Sequence, residues 1–232
     1  MDSAPATDDR RLGWRQGPVV AWSVLALVQV AFGGIAFATR DEVEDSNPLF
    51  DSSFVVSSVV IYAILVLLTV AIAASSSRDV KGALGFRPFG LRWLGAAAVV
   101  IVLSFVVGAI MTLFGDAAEE QGLAPDRWES DKAGVFVAAA VVVVVLVPFA
   151  EELFFRGLGV SLLSFAGEAV AVGVPALTFA LAHGIPLALP TLLVLGGGFA
   201  WIRYRSGSVW PCFLGHATWN GIALAVAAAT SF

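Results

Sequence analysis

Long uncharged runs of apolar residues, separated by short charged segments, set the pattern of this chain. A bilayer core about 30 Å thick is crossed by a helix of about 20 apolar residues, so the runs themselves are the units to count. Gln16 to Thr39, Ser52 to Ser77, Trp93 to Gly115 and Ser206 to Phe232 each suit one crossing, and Ala133 to Ala150 is a further candidate that runs straight into Glu151. Ala169 to Ile202 carries no charge but is too long for one crossing. His183-Gly184-Ile185-Pro186 and Pro190 divide it, because proline removes a helical donor and clashes with the preceding turn. The pattern predicts an all-α, polytopic transmembrane helical bundle of about seven spans, near 17–38, 53–75, 92–114, 134–166, 168–184, 189–205 and 207–229. No internal repeat or separate soluble domain interrupts it. The expected organisation is a tail over 1–16, N-terminal transmembrane spans and loops over 17–132, and a transmembrane helical core over 133–232.

Composition agrees. Hydrophobic residues make up 59% of the chain and charged residues 13%, against about 25% charged in an ordinary soluble domain. A disordered chain needs low hydrophobicity and a disulfide-built scaffold needs many cysteines, whereas Cys212 stands alone. The net charge of -5 leaves no basic stripe for nucleic acid.

Lysine and arginine collect at alternate ends of the spans, which sets the expected orientation. Arg10, Arg11 and Arg15 precede the first span, Arg78, Lys81, Arg87 and Arg92 lie between the second and third, and Arg203 and Arg205 end the sixth. These ends are expected to face the cytoplasm, with the N-terminus inside and the acidic loops 40–51 and 116–132 outside. The arginine-dominated, Ala- and Val-rich chain points to a bacterial cell membrane. An alternative reading makes the N-terminus a signal peptide cleaved after Ala36-Phe37-Ala38, but its apolar run is much longer than a signal core.

Against this apolar background a few polar residues demand a reason. An ionised side chain at the centre of a span costs about 2.5–3.5 kcal/mol, and Glu151 and Glu152 are adjacent in Pro148-Phe149-Ala150-Glu151-Glu152-Leu153-Phe154-Phe155-Arg156-Gly157. Glu152 and Arg156 are one helical turn apart, acid before base, the better order for a pair. Glu151 has no such local partner. The chain's two histidines, His183 and His216, both lie in apolar stretches, and Asn220 is one turn after His216. With Gly167 as the tip of a helical hairpin, Glu151 and His183 lie sixteen residues to either side, roughly 24 Å from the turn. His216 and Asn220 lie about 14–20 Å above the next turn at Ser206-Gly207. All these groups share one slab of the membrane interior. The small residues Gly196, Gly197, Gly198 and Ala200 on the sixth span let helices approach closely there.

A carboxylate, two imidazoles and an amide can deprotonate and orient a water and stabilise an oxyanion. The same donors, Glu151, His183 and His216, could instead hold a divalent metal such as zinc, whose bound water is a ready nucleophile. H-E-x-x-H is absent, no Asp lies within a span, and no G-x-S-x-G occurs. Cys212, one turn before His216, could form a Cys–His pair, but a lone apolar-facing Cys is usually inert. Interfacial placement accounts for Trp14, Trp22, Trp93, Trp128 and Trp210 near span ends; Trp201 and Trp219 are expected deeper, in packing roles. Phe154 and Phe155 read as packing, with a substrate groove as the alternative. Glu168 reads as a solvated charge at the hairpin turn.

Glu151-Glu152-x-x-x-Arg156, Phe179-x-x-x-His183 and His216-x-x-x-Asn220 resemble the three ordered motifs of the CAAX protease and bacteriocin-processing family, the type II CAAX prenyl endopeptidases and their bacterial relatives. Leu84-Gly85-Phe86-Arg87-Pro88 is similar to the family's weaker upstream segment, and the motifs span about residues 148–221. The resemblance implies an integral-membrane endopeptidase with a polar cavity opening to the cytoplasm. In it Glu151 and His183 would activate water, Glu152 and Arg156 would brace the site, and His216 with Asn220 would form the oxyanion hole. Its partners would be a peptide or protein substrate, membrane-anchored or not, and the lipid bilayer. Two other readings stand beside it: a non-catalytic scaffold or immunity protein, in which buried polar contacts merely fasten helices, and a proton-coupled transporter, although inverted repeats and paired broken helices are lacking.

Overall fold

A computed structural model describes residues 16–39, 47–115 and 128–231. Its regular structure is helical, with no strand among the described residues: α1 Gln16–Thr39, α2 Ser52–Ser76, the four-residue α3 Val80–Ala83, α4 Arg92–Met111, α5 Ser130–Ala166, α6 Glu168–Ala182, α7 Leu189–Ser206 and α8 Trp210–Ser231. The seven long helices coincide with the seven expected spans to within a few residues. The divisions fall where backbone chemistry demands them. Gly207 takes a left-handed conformation at φ 72° to end α7, and Gly184 does the same at φ 64° just after α6, a region that side-chain-bearing residues avoid. At the start of α2 the Asp51 carboxylate accepts from the Ser53 hydroxyl and amide, which cap the helix and hold that carboxyl below its ordinary range.

By length and composition α1, α2, α4, α5 and α8 are each long and apolar enough to cross a membrane, while α6 is shorter, at 15 residues. The apolar side chains of α1, α2 and α4 point outward: Leu27, Phe32, Leu67 and Val102 are all at least 60% exposed. An outward-facing apolar surface is stable only against lipid. The chain is an integral membrane protein.

The central element is α5. Its first half passes between α2 and α8; its second half moves to the axis of the bundle, where every residue from Ala150 to Ser164 is buried. There α6 and α7 pack against it and against each other, α1 lies along α6, and α4 lies along α7 and α8. The segments carrying Arg78 to Arg92, Glu168, and Arg203 to Trp210 meet at one end of the bundle. Arg205 pairs with Glu168 at 3.0 Å, and the Ser208 hydroxyl donates to the Arg87 carbonyl at 2.7 Å. The Val209 amide donates to the Gly85 carbonyl at 2.9 Å. Glu168 is therefore paired as well as solvated.

Leu84-Gly85 plugs this end. The buried Arg203 donates to Ser161 Oγ at 2.8 Å and to the Ala83 carbonyl at 3.3 Å. Ser161 itself donates to that same carbonyl at 2.7 Å. Gly85, at φ 80°, lies against the Arg203 guanidinium, where any side chain would collide. This gives the upstream motif a packing reason.

Two tryptophan assignments are corrected. Trp22 is not interfacial: it is 1% exposed, stacks on Phe154 with ring centroids 5.7 Å apart, and donates from Nε1 to the Phe154 carbonyl at 3.1 Å. The absence of a side chain at Gly159 makes room for it. Trp201 is not packed in the core: it is 41% exposed and meets Trp93 edge-on. Arg10, Arg11, Arg15, Trp14 and most of the two acidic loops lie outside the described residues.

Candidate active site

Pro148 shapes the helix that carries the carboxylates. Having no amide hydrogen, it cannot donate to the preceding turn, and α5 is π-helical over Val142–Leu146. The Val147 amide turns to the Val142 carbonyl, five residues back. The Val143 carbonyl is thus left without either helical donor, and the Asn220 side-chain amide of α8 supplies one at 2.9 Å. After an α-helical turn, Val147–Glu151, a second π-helical segment runs over Glu152–Gly159. Such widened turns are frequent at functional sites.

Glu152 and Arg156 form the expected pair, Arg156 Nη1 donating to Glu152 Oε1 at 2.8 Å with both side chains fully buried. The same carboxylate oxygen lies 2.9 Å from His216 Nδ1. An ionised carboxylate only accepts, so Nδ1 is the nitrogen that carries the proton, and a neutral His216 keeps its lone pair on Nε2. That Nε2 is 3.8 Å from Glu151 Oε2. Glu151 Oε1 accepts from the Tyr62 hydroxyl of α2 at 3.4 Å. The result is an ordered chain, Tyr62–Glu151–His216–Glu152–Arg156, joining α2, α8 and α5. Arg156 goes on to donate to the Gly196 carbonyl of α7 at 3.3 Å, and Gly196 lets α7 pack closely on Phe179 and the Ala176 backbone of α6.

Phe179 organises the other side. Its ring lies 4.1 Å from the Arg156 guanidinium carbon and meets the rings of His183 and His216 at 4.6 and 5.7 Å. A ring face towards the cation and its neighbours' edges is the favoured electrostatic arrangement. The Phe179 carbonyl accepts from His183 Nδ1 at 2.7 Å, fixing the second imidazole in the same tautomer as the first. Phe154 and Phe155 are fully buried in the packing behind this ring and do not line a groove. Gly33 of α1 sits against the Ala182 and Gly184 backbone, so α1 supports the turn that carries His183.

The structure therefore joins Glu151, Glu152, Arg156 and His216 directly. It brings His183 alongside through Phe179 and turns Asn220 onto the backbone of α5. His183 makes no hydrogen bond or ion pair to Glu151. Tyr62 escapes a reading of the sequence, because a tyrosine in an apolar run carries no more signal than a packing residue. Cys212 is buried and donates to the Phe199 carbonyl at 3.2 Å, as an inert thiol would.

Glu151 and His216 would offer a metal two donors, whereas a zinc site takes three protein ligands. Among the described residues no group of three His, Cys, Asp or Glu side chains is gathered to hold one. As arranged, the donor set does not fit a metal.

No curated protein and no solved structure matches the chain. Residues 133–222, which contain all six motif positions, match the family model described as type II CAAX prenyl endopeptidase Rce1-like, a family of proteases. The carboxylate–histidine chain of α5 and α8 is thus housed in the segment that is similar to the Rce1-like type II CAAX prenyl endopeptidases.

Proposed function

We propose that this protein is an intramembrane endopeptidase that hydrolyses a peptide bond with a water activated by Glu151. The observation that carries the reading is the buried line from Arg156 through Glu152 to His216 and on to Glu151. A purely structural ion pair needs only its first two members. In the proposed reaction a water accepted by Glu151, and oriented by the lone pair on His183 Nε2, attacks the substrate carbonyl as its proton moves to Glu151. His216 Nε2, beside Glu151, takes up that proton. Its imidazolium, stabilised by Glu152, donates first to the oxyanion and then gives the proton to the departing amine. The second Asn220 amide hydrogen completes the oxyanion hole. Protons balance: one enters from water and one leaves on the new amine.

The basic end of the bundle faces the cytoplasm in this reading, following the positive-inside rule. The substrate is a peptide or protein segment able to reach the membrane interior. The deciding experiment reconstitutes the purified protein in liposomes and screens peptide cleavage for wild type, Glu151→Ala and His183→Ala. Cleavage lost in both variants supports the assignment. Cleavage unchanged in both removes it, and ion flux without proteolysis makes the protein a transporter.

A further inference from the structure

Resting on that reading, we propose that Tyr62 is a positioning residue for Glu151, supplied to the active site by the part of the chain that lies outside the family match. Glu151 is 8% exposed, and Tyr62 is the one hydrogen-bond donor it meets among the described residues. From Val59 to Leu68 α2 is otherwise wholly apolar, and its outer side chains Val60, Ile61, Ile64 and Leu67 face lipid. The only polar atom in this stretch of side chains is the phenol oxygen, and it points at the carboxylate.

The two carboxylate oxygens of Glu151 are divided between helices. Oε1 takes the Tyr62 hydroxyl of α2 and Oε2 faces His216 Nε2 of α8. A glutamate side chain turns freely about its terminal torsion unless something holds it. With Oε1 held by Tyr62, Oε2 stays directed at His216, the relation that proton transfer requires. Geometry of this kind contributes to turnover without contributing to substrate affinity, since the phenol acts through Glu151 and does not touch the peptide.

The test compares Tyr62→Phe with wild type, Glu151→Gln and the lipid-facing control Leu67→Ala in one reconstituted cleavage assay. Tyr62→Phe is expected to lower kcat about tenfold, the scale of one hydrogen bond to a charged group, with KM and the unfolding midpoint unchanged. Leu67→Ala is expected at the wild-type rate. A second readout needs no substrate: the infrared difference between wild type and Glu151→Gln isolates the Glu151 carboxyl band, and Tyr62→Phe is expected to shift it. A kcat within twofold of wild type together with an unmoved band overturns the proposal for Tyr62 alone, provided that Glu151→Gln is inactive. A rise in KM or a fallen midpoint instead makes Tyr62 a packing residue. Full activity in Glu151→Gln overturns the hydrolytic reading itself.

Discussion

His216 Nδ1 lies 2.9 Å from the Glu152 oxygen that Arg156 also holds, so one buried carboxylate both neutralises a guanidinium and fixes the tautomer of a histidine. Removing that carboxylate's charge has two separable effects. Glu152→Gln strands Arg156 in a fully buried position and is expected to cost about 3–5 kcal/mol of stability, the scale for breaking a buried ion pair. It also frees His216 to rotate, lowering cleavage by about 10²–10⁴-fold. The paired variant Glu152→Met/Arg156→Met regains stability and stays inactive. Denaturation midpoints and initial rates on the same preparations measure both; a double variant that recovers cleavage would deny His216 its orienting partner.

Glu151 differs from its neighbour in pairing with no guanidinium: the nitrogen it faces, Nε2 of the neutral His216, lies at 3.8 Å. Glu151→Gln keeps the Tyr62 contact and removes the buried charge, so stability is expected to hold or rise while cleavage falls by about 10²–10⁴-fold. Stability that falls together with activity would mark Glu151 as a fastener of helices.

Chelation separates the two water-activation schemes. Because Glu151 and His216 gather no third donor among the described residues, cleavage is expected to survive dialysis against a strong chelator unchanged. Activity lost on chelation and restored by zinc would show that the site rearranges around a metal.

Asn220 has a structural task that its motif does not announce. Asn220→Ala leaves the Val143 carbonyl without a donor, at an expected cost of about 1–3 kcal/mol. Pro148→Ala, by restoring an amide hydrogen five residues after Val143, is expected to recover much of that loss in the double variant. Recovery of stability without recovery of kcat would separate the packing role of Asn220 from its place in the oxyanion hole.

The contact between α1 and the His183 turn makes a paired test at adjacent glycines. A side chain at Gly33 meets the Ala182 carbonyl and the Gly184 amide, whereas one at Gly34 meets open space. Gly33→Val is expected to destabilise the protein by about 1–3 kcal/mol and to depress cleavage by displacing His183, with Gly34→Val close to wild type. Equal behaviour of the two variants in melting and in cleavage would detach α1 from the site.

What could be read from the sequence follows from the range of each signal. Span positions were legible because proline, glycine and charge act locally, and the Glu152–Arg156 pair because a helix brings residues four apart together. The encounter of His216 with Glu152 was not, since sixty-four residues separate them and spacing rules stop at a helix end. Depth arithmetic placed both in one slab, but it could not say which nitrogen faced which oxygen. Tyr62 and Trp22 were illegible for the same reason: each sits in an apolar run, where lipid, interface and core call for the same residue type, and only the neighbouring helix shows which applies. The direction of Asn220 was readable only in part, through Pro148, whose missing hydrogen foretells a stranded carbonyl without naming its rescuer.

The plug of Leu84-Gly85 beneath Arg203, set beside the reach of Tyr62 across from α2, means that the stretch recognisable by descent is smaller than the object that must fold. Excised at residue 133, the matched segment would expose a buried guanidinium at its base and lose the Tyr62 hydroxyl at its carboxylate. The two halves expressed as separate polypeptides should therefore behave as complementary fragments, each inert until it finds the other.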